Sequence, residues 1–311
     1  MRSTSVEAKE IQQEILRELA SCGCRGSILP AGHLVESSDG LKSRHRQGLF
    51  DETFYQERLA CFDFCPPEDF PAASLVIVAV PQRMVRVVFH GAEQPHDVLL
   101  PPTYSHYPDK KVEKLIKGIL DPGRFQVVRA ALPLKDLAAR SGLGEYGRNN
   151  ICYVPGMGSF HRLMAYYTDL PCVRDTWQEP RMLETCRKCL ACQKNCPTGA
   201  INPHRFLLQA ERCLTFLNER PGDFPEWIAP SWHNCLIGCM HCQRVCPENQ
   251  EFLDGIEWGG EFSGEETALI LAGTLAEGLP AVTREKLEKL GLSDELEVLP
   301  RNLQALLDQK R

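Results

Sequence analysis

The chain has 311 residues, with 35 Lys plus Arg, 41 Asp plus Glu and 15 cysteines, and its formal net charge is −6. This length suits one large domain or two modest ones, which can bury a core without disulfides. The longest apolar run, residues 75–80, is far shorter than the ~20 residues that cross a bilayer, and the N-terminus lacks a signal-peptide core. We therefore expect a cytoplasmic protein with no membrane partner. The acidic balance, without blocks of Lys and Arg, argues against a nucleic-acid partner.

The hydrophobic pattern predicts helices and strands that alternate as far as about residue 170. Helices are expected over residues 3–19, 109–120 (with Asp109 as its cap) and 134–139. Strands are expected over residues 75–80, 84–89, 125–131, 151–154 and 162–168. This alternation indicates an α/β unit. The leucine-rich segment from residue 263 onward is expected to be helical.

Nine of the fifteen cysteines lie between residues 186 and 246. The first four follow the pattern C-x2-C-x2-C-x3-C-P: Cys186, Cys189, Cys192 and Cys196, with Pro197. In bacterial ferredoxins with this spacing, the first three cysteines bind one 4Fe-4S cluster and the fourth binds the other cluster. A second run repeats the x3-Cys-Pro ending but lacks one ligand: Cys239, Cys242 and Cys246, with Pro247. Two clusters are therefore predicted.

The ferredoxin crossing rule assigns the ligands of both clusters. Cluster one takes Cys186, Cys189, Cys192 and Cys246. Cluster two takes Cys196, Cys239, Cys242 and either Cys213 or Cys235, of which Cys213 is preferred. A zinc ribbon would explain paired C-x2-C units but gives no reason for two x3-Cys-Pro endings. A disulfide framework does not suit a cytosolic chain of this size.

A glycine-rich segment, Gly142-Leu143-Gly144-Glu145-Tyr146-Gly147, matches the pattern G-x-G-x-x-G. The dinucleotide fingerprint requires a strand before the glycines and a helix after them. Here a predicted helix precedes the segment and a turn into a strand follows it, which argues against a Rossmann site. The three glycines still predict a backbone that turns tightly or closely approaches a large flat group.

With these motifs identified, the chain resembles the epoxyqueuosine reductase family and, more distantly, the corrinoid-binding part of reductive dehalogenases. The resemblance is carried by residues 137–149, residues 158–160, residues 168–170, Arg212-Cys213 and the cysteine array. It implies a nitroreductase-like α/β domain that holds a cobalamin, next to a ferredoxin-like domain whose two 4Fe-4S clusters reduce the cobalt. It also implies that Cys213 completes cluster two. The cofactor-binding loop would be Gly142, Leu143, Gly144 and Gly147, lying on the corrinoid.

The predicted domains are an α/β domain over residues 1–175, a ferredoxin-like domain over 176–255 and a helical tail over 256–311 that packs on the α/β domain. Two departures from the family are expected. The family carries a proton-donating aspartate before the helix that leads into the glycine loop, whereas residues 126–133 contain no acid and Asp136 lies within the helix. The C-terminal repeats that contact tRNA are expected to be missing, so epoxyqueuosine reduction is questioned.

Two functions compete at this stage. The first is a corrinoid-dependent reductase of an unidentified small molecule, which receives electrons from reduced ferredoxin or flavodoxin. In that enzyme Tyr104, His106 or Tyr107 would donate the proton. The second is a non-enzymatic electron carrier or docking protein, for which an α/β domain of this size is unnecessary. Bound cobalt would distinguish the two.

Overall fold

The computed structural model describes residues 4–91, 94–104 and 108–309. The chain divides into two compact units, the first comprising residues 1–81 and 108–189 and the second residues 82–107 and 190–311. The strands are β1 (Arg25–Pro30), β2 (Ser74–Pro81), β3 (Met84–His90), β4 (Pro95–Leu100), β5 (Val127–Arg129), β6 (Glu145–Tyr146), β7 (Cys152–Tyr153), β8 (His161–Thr168) and β9 (Ile256–Phe262). The helices are α1 (Thr4–Ser21), α2 (Leu34–Arg46), α3 (Glu52–Phe54), α4 (Asp109–Leu120), α5 (Leu134–Arg140), α6 (Ala191–Lys194), α7 (Leu214–Asn218), α8 (His241–Arg244), α9 (Gly264–Leu271), α10 (Ala281–Lys289) and α11 (Leu299–Leu307).

Unit one is built on a four-stranded antiparallel sheet in the order β1-β2-β8-β5, with helices on both faces. Successive side chains of a strand point to opposite faces. Val76 and Val78 therefore join α1 and α4 in one core, while Leu75 and Ile77 join α5 in another. Burial of β2 on both faces explains its uninterrupted apolar sequence. The predicted α/β class is confirmed.

The predicted elements of unit one recur with small shifts in their bounds. Residues 125–131 form a strand only over β5. At the start of this segment the backbone N–H of Phe125 donates to Leu120 O and completes the end of the preceding helix. Asp109 is the first residue of α4, and Pro108 occupies the N-cap position instead.

Unit two contains a three-stranded sheet in the order β4-β3-β9, where β9 runs parallel to β3. Its core joins β3 and β4 to α9 and α11. This arrangement differs from the predicted domains in two respects. The strands β3 and β4 lie with the cysteine-rich segment and not with residues 1–81, and the C-terminal segment begins with a strand that pairs with β3.

The glycines of β9 explain why its pairing could not be anticipated. A methyl group on Gly259 would lie 2.4 Å from Val85 Cγ1, and the register shifts at this point between Arg86 and Val87. Gly260 has φ +102, a conformation that favours glycine. These features form a bulge that interrupts the alternating pattern by which a strand is normally recognised. Among the described helices, none is long and apolar enough to cross a membrane.

Candidate metal centre and glycine loop

The cysteine-rich segment contains two short helices of the same form, α6 and α8. Each carries one predicted ligand and leads to a second one before a proline: Cys192 and Cys196 after α6, and Cys242 and Cys246 after α8. The two turns also share a hydrogen bond, because Cys196 N donates to Gln193 O at 3.4 Å and Cys246 N to Gln243 O at 3.3 Å. Asn195 Nδ2 donates to His241 O at 2.7 Å and ties the helices together. The repeated sequence ending is thus a repeated local structure.

Three thiols predicted for cluster two lie close enough to interact electrostatically: Cys196, Cys213 and Cys239. Burial is the main cause that raises the pKa of Cys239 to about 11, and the Cys213 and Cys196 thiols add to it. Burial likewise raises the pKa of Cys213, with a further contribution from Cys196. The alternative ligand Cys235 also lies near Cys239, but the residue is 1% exposed and its thiol donates to Asn234 Oδ1 at 3.1 Å. This geometry favours Cys213.

The grouped thiols suit a cluster because a thiolate in a buried setting needs a cationic partner. Among the described residues, no three His, Cys, Asp or Glu side chains converge in the way that a single ion requires. In a cubane each thiolate binds a different iron, so the ligands surround the group without meeting at one point. Of the cluster-one set, Cys186 and Cys189 belong to unit one, and Cys192 and Cys246 belong to unit two. Their grouping stays a prediction from sequence spacing.

Two polar groups to which the sequence assigned no role at the clusters donate hydrogen bonds to the cysteine sulfurs. Asn234 Nδ2 donates to Cys239 Sγ at 3.5 Å, and the backbone N–H of Arg148 donates to Cys186 Sγ at 3.4 Å. Hydrogen bonds to cluster sulfurs set reduction potentials. No sequence spacing could have identified these donors, because Arg148 is distant in sequence from Cys186 and Asn234 has no motif of its own.

The glycine loop makes close backbone approaches, as predicted, but makes them to its own chain. A methyl group on Gly144 would lie 2.6 Å from Tyr153 O and 2.7 Å from Cys152 Sγ, and one on Gly147 would lie 2.5 Å from Tyr153 Cε2. Leu143 is buried in the core below α5. Packing against β7 therefore accounts for Gly144 and Gly147 without a corrinoid, and these two glycines no longer indicate one. The assignment of Gly142, Leu143, Gly144 and Gly147 to a cofactor rests on the resemblance.

Of the predicted proton donors, Tyr104 is the one that lies among the described residues, since His106 and Tyr107 lie outside them. Its hydroxyl donates to the Glu219 carboxylate, and its ring packs so closely on Gly238 that a methyl group there would lie 2.7 Å from Cε2. Burial, followed by the Glu219 charge, raises the pKa of Tyr104 well above its usual value. The Tyr104 hydroxyl is thus hydrogen-bonded to Glu219, and its role as a proton donor stays a prediction.

Residues 126–133, which contain no acid, contact the loop that carries Asp63 elsewhere in unit one. The backbone N–H of Asp63 donates to Ala131 O at 3.2 Å, and Tyr167 Oη donates to Asp63 O at 3.4 Å. The Asp63 carboxylate is exposed and accepts a hydrogen bond from Cys65 N at 2.9 Å. Asp136 is instead occupied within the fold, because it accepts from Arg140 Nε at 3.1 Å. Sequence reasoning missed Asp63 because the contact is not local.

Comparison with known proteins first identifies the cysteine-rich segment. Residues 185–249 match the family described as the 4Fe-4S double cluster binding domain. This part of the chain is therefore a domain for two 4Fe-4S clusters, which confirms the ferredoxin-like prediction.

Part of the chain is similar in sequence to epoxyqueuosine reductases, which confirms the resemblance noted in the sequence. It is 37% identical to the enzyme of Yersinia pestis over 117 residues, which are 37% of this chain and 27% of the relative. It is 29% identical to that of Francisella cf. novicida (strain Fx1) over 206 residues, which are 60% of this chain and 56% of the relative. The chain thus spans between about a quarter and just over half of the length of these relatives.

Solved structures show that the fold extends over nearly the whole chain. The epoxyqueuosine reductase of Streptococcus thermophilus superposes with a TM-score of 0.66 at 20% identity, covering 95% of this chain and 80% of that one. An epoxyqueuosine reductase bound to an epoxyqueuosine-modified tRNA-Tyr stem loop superposes with a TM-score of 0.65 at 20% identity, covering 96% and 81%. At this identity the likeness establishes the fold.

Proposed function

We propose that the protein is an iron-sulfur reductase that acts on a small molecule. The observation that carries this proposal is the duplicated α6 and α8 turn with the neighbouring thiols of Cys196, Cys213 and Cys239, inside a segment that matches a double cluster domain. In this proposal Cys186, Cys189, Cys192 and Cys246 hold cluster one, and Cys196, Cys213, Cys239 and Cys242 hold cluster two. When bound, the clusters supply one-electron transfer.

The finer part of the proposal is a corrinoid held by unit one, which would receive the electrons and reduce the substrate. This part rests on the similarity to epoxyqueuosine reductases and on the shared fold. The electrons would come from reduced ferredoxin or flavodoxin, and the protein would work in the cytoplasm, where its fifteen free cysteines remain reduced. If no corrinoid binds, a non-enzymatic electron carrier becomes the better description.

A second candidate function is epoxyqueuosine reduction on tRNA, which the names of the relatives favour. We place it second because residues 126–133 contain no acid. Two described acids from outside the segment contact it: the backbone N–H of Asp63 donates to Ala131 O, and the Asp169 carboxylate accepts from Gln126 N. Turnover of an epoxyqueuosine-modified tRNA stem loop at a rate comparable to that of a full-length relative would make this function the first candidate.

After anaerobic purification, the chain is expected to contain about eight irons and about eight acid-labile sulfides, because two complete sets of four thiolates are available. Chemical analysis of iron and sulfide, with an absorption spectrum, measures this directly. Stoichiometric zinc without iron would overturn the proposed function.

Cob(II)alamin added to the wild-type protein is expected to bind in the base-off form, which its absorption and EPR spectra report. The experiment uses the protein with its clusters assembled, and bovine serum albumin serves as a non-binding control. Failure to bind cobalamin or any related corrinoid, with the iron content intact, would remove the corrinoid from the proposal. The iron-sulfur assignment would stand.

A further inference from the structure

Arg148 connects the glycine loop to two predicted cluster ligands within unit one. Its guanidinium donates from Nη2 to Cys186 O at 2.6 Å and from Nε to Cys189 O at 3.1 Å. Its backbone N–H donates to Cys186 Sγ at 3.4 Å. One residue therefore fixes the backbone at both cysteines and contacts the sulfur of the first.

The position of Arg148 is itself fixed by the hairpin of β6 and β7. Gly147 N donates to Ile151 O at 2.8 Å and closes the turn that carries Arg148, while Asn150 in this turn has φ +60. The hairpin is also bound to the chain just before the cysteines, because Tyr146 N donates to Arg181 O at 2.8 Å and Leu183 N donates to Tyr146 O at 2.9 Å. The segment that leads to Cys186 and Cys189 is thus bound at its start by the backbone of the β6–β7 hairpin and at the two cysteines by Arg148.

We propose that Arg148 is a positioning residue for cluster one, and that the glycine loop holds Arg148 in the position that this role requires. This inference rests on the proposed function. The guanidinium orders the loop that carries Cys186 and Cys189, while its positive charge and the N–H directed at Cys186 Sγ stabilise the reduced, more negative cluster. Charge and hydrogen bonds to sulfur are the means by which a protein sets a cluster's potential.

The role needs an arginine because a planar fork of donors can reach two carbonyls at once. Lysine keeps the charge but not the fork, and glutamine keeps a donor but not the charge. The same loop offers a matched control. Arg187 follows Cys186 directly, but its side chain is 72% exposed and pairs with Glu184 at 2.8 Å.

The test is an EPR-monitored redox titration of the wild type, Arg148→Gln, Arg148→Lys and Arg187→Gln. We expect Arg148→Gln to make reduction of one cluster about tenfold less favourable, which lowers its potential by about 59 mV. Arg148→Lys should recover part of this shift, and Arg187→Gln should match the wild type. If Arg148→Gln instead loses about half of its iron while Arg187→Gln keeps it all, one cluster fails to assemble without Arg148, and this result also supports the positioning role.

Full iron content and wild-type potentials in Arg148→Gln would overturn the inference. Equal shifts in Arg148→Gln and Arg187→Gln would also overturn it, because the effect would then come from net charge alone. A wild-type protein without iron would instead refute the proposed function, so the two failures are distinguishable.

Discussion

Replacing Cys213 with alanine is expected to lower the iron content from about eight to about four per chain, with sulfide falling in parallel. The reason is that Cys213 is the thiol placed beside both Cys196 and Cys239, so its removal leaves cluster two with three cysteine ligands. Iron and sulfide analysis after anaerobic purification measures the loss, and EPR of the reduced protein shows which signal disappears.

Cys235→Ala is the matched control, because it removes the same thiol from the same segment. The Cys235 thiol donates to Asn234 Oδ1 and lies near Cys239, yet no interaction with Cys196 accompanies it among the described contacts. Both clusters are expected to survive this substitution. If Cys235→Ala loses half of the iron and Cys213→Ala keeps it, Cys235 is the fourth ligand.

The sequence predicted the elements whose signal is local. The apolar run of β2 and the spacing of the cysteines each lie within a few residues, and burial or ligand geometry dictates the residue types directly. β9 escaped prediction because its pairing with β3 depends on two glycines and a bulge, with partners far apart in sequence. The placement of β3 and β4 in unit two rests on contacts that are also distant in sequence, in the core they share with Leu236, Ile237 and the C-terminal helices.

The residues of the candidate site also fall into those that the sequence could predict and those that it could not. The cysteine ligands could be proposed from spacing, whereas Arg148 and Asn234 could not, since their donors reach the cysteines through tertiary contacts. The glycine pattern predicted a close approach correctly but left its partner open. A glycine in the sequence can indicate that there is no room for a side chain, but it does not indicate which group occupies the space.

Gly144→Ala is expected to lower the free energy of unfolding by about 1 to 3 kcal/mol, the usual cost of overpacking. The added methyl group would lie 2.6 Å from Tyr153 O, which is a backbone atom and cannot rotate away. To relieve this close contact, β6 and β7 must move apart. That movement weakens their pairing, which joins Glu145 to Tyr153 and Tyr146 to Cys152. Thermal unfolding of the protein with its clusters assembled, followed by circular dichroism, measures the loss as a lower melting temperature.

Gly118→Ala is the control, and it is expected to change the free energy of unfolding in the opposite direction. Gly118 is exposed in the last turn of α4 and has open space where a methyl group would be added. Alanine there is expected to stabilise the protein by about 0.5 to 1 kcal/mol, because it reduces the backbone entropy lost on folding. If Gly144→Ala keeps the wild-type melting temperature but no longer binds cobalamin, the close approach at Gly144 serves a ligand. If it melts early, the glycine serves β7, and the loss of cobalamin from such a variant says nothing about a corrinoid site.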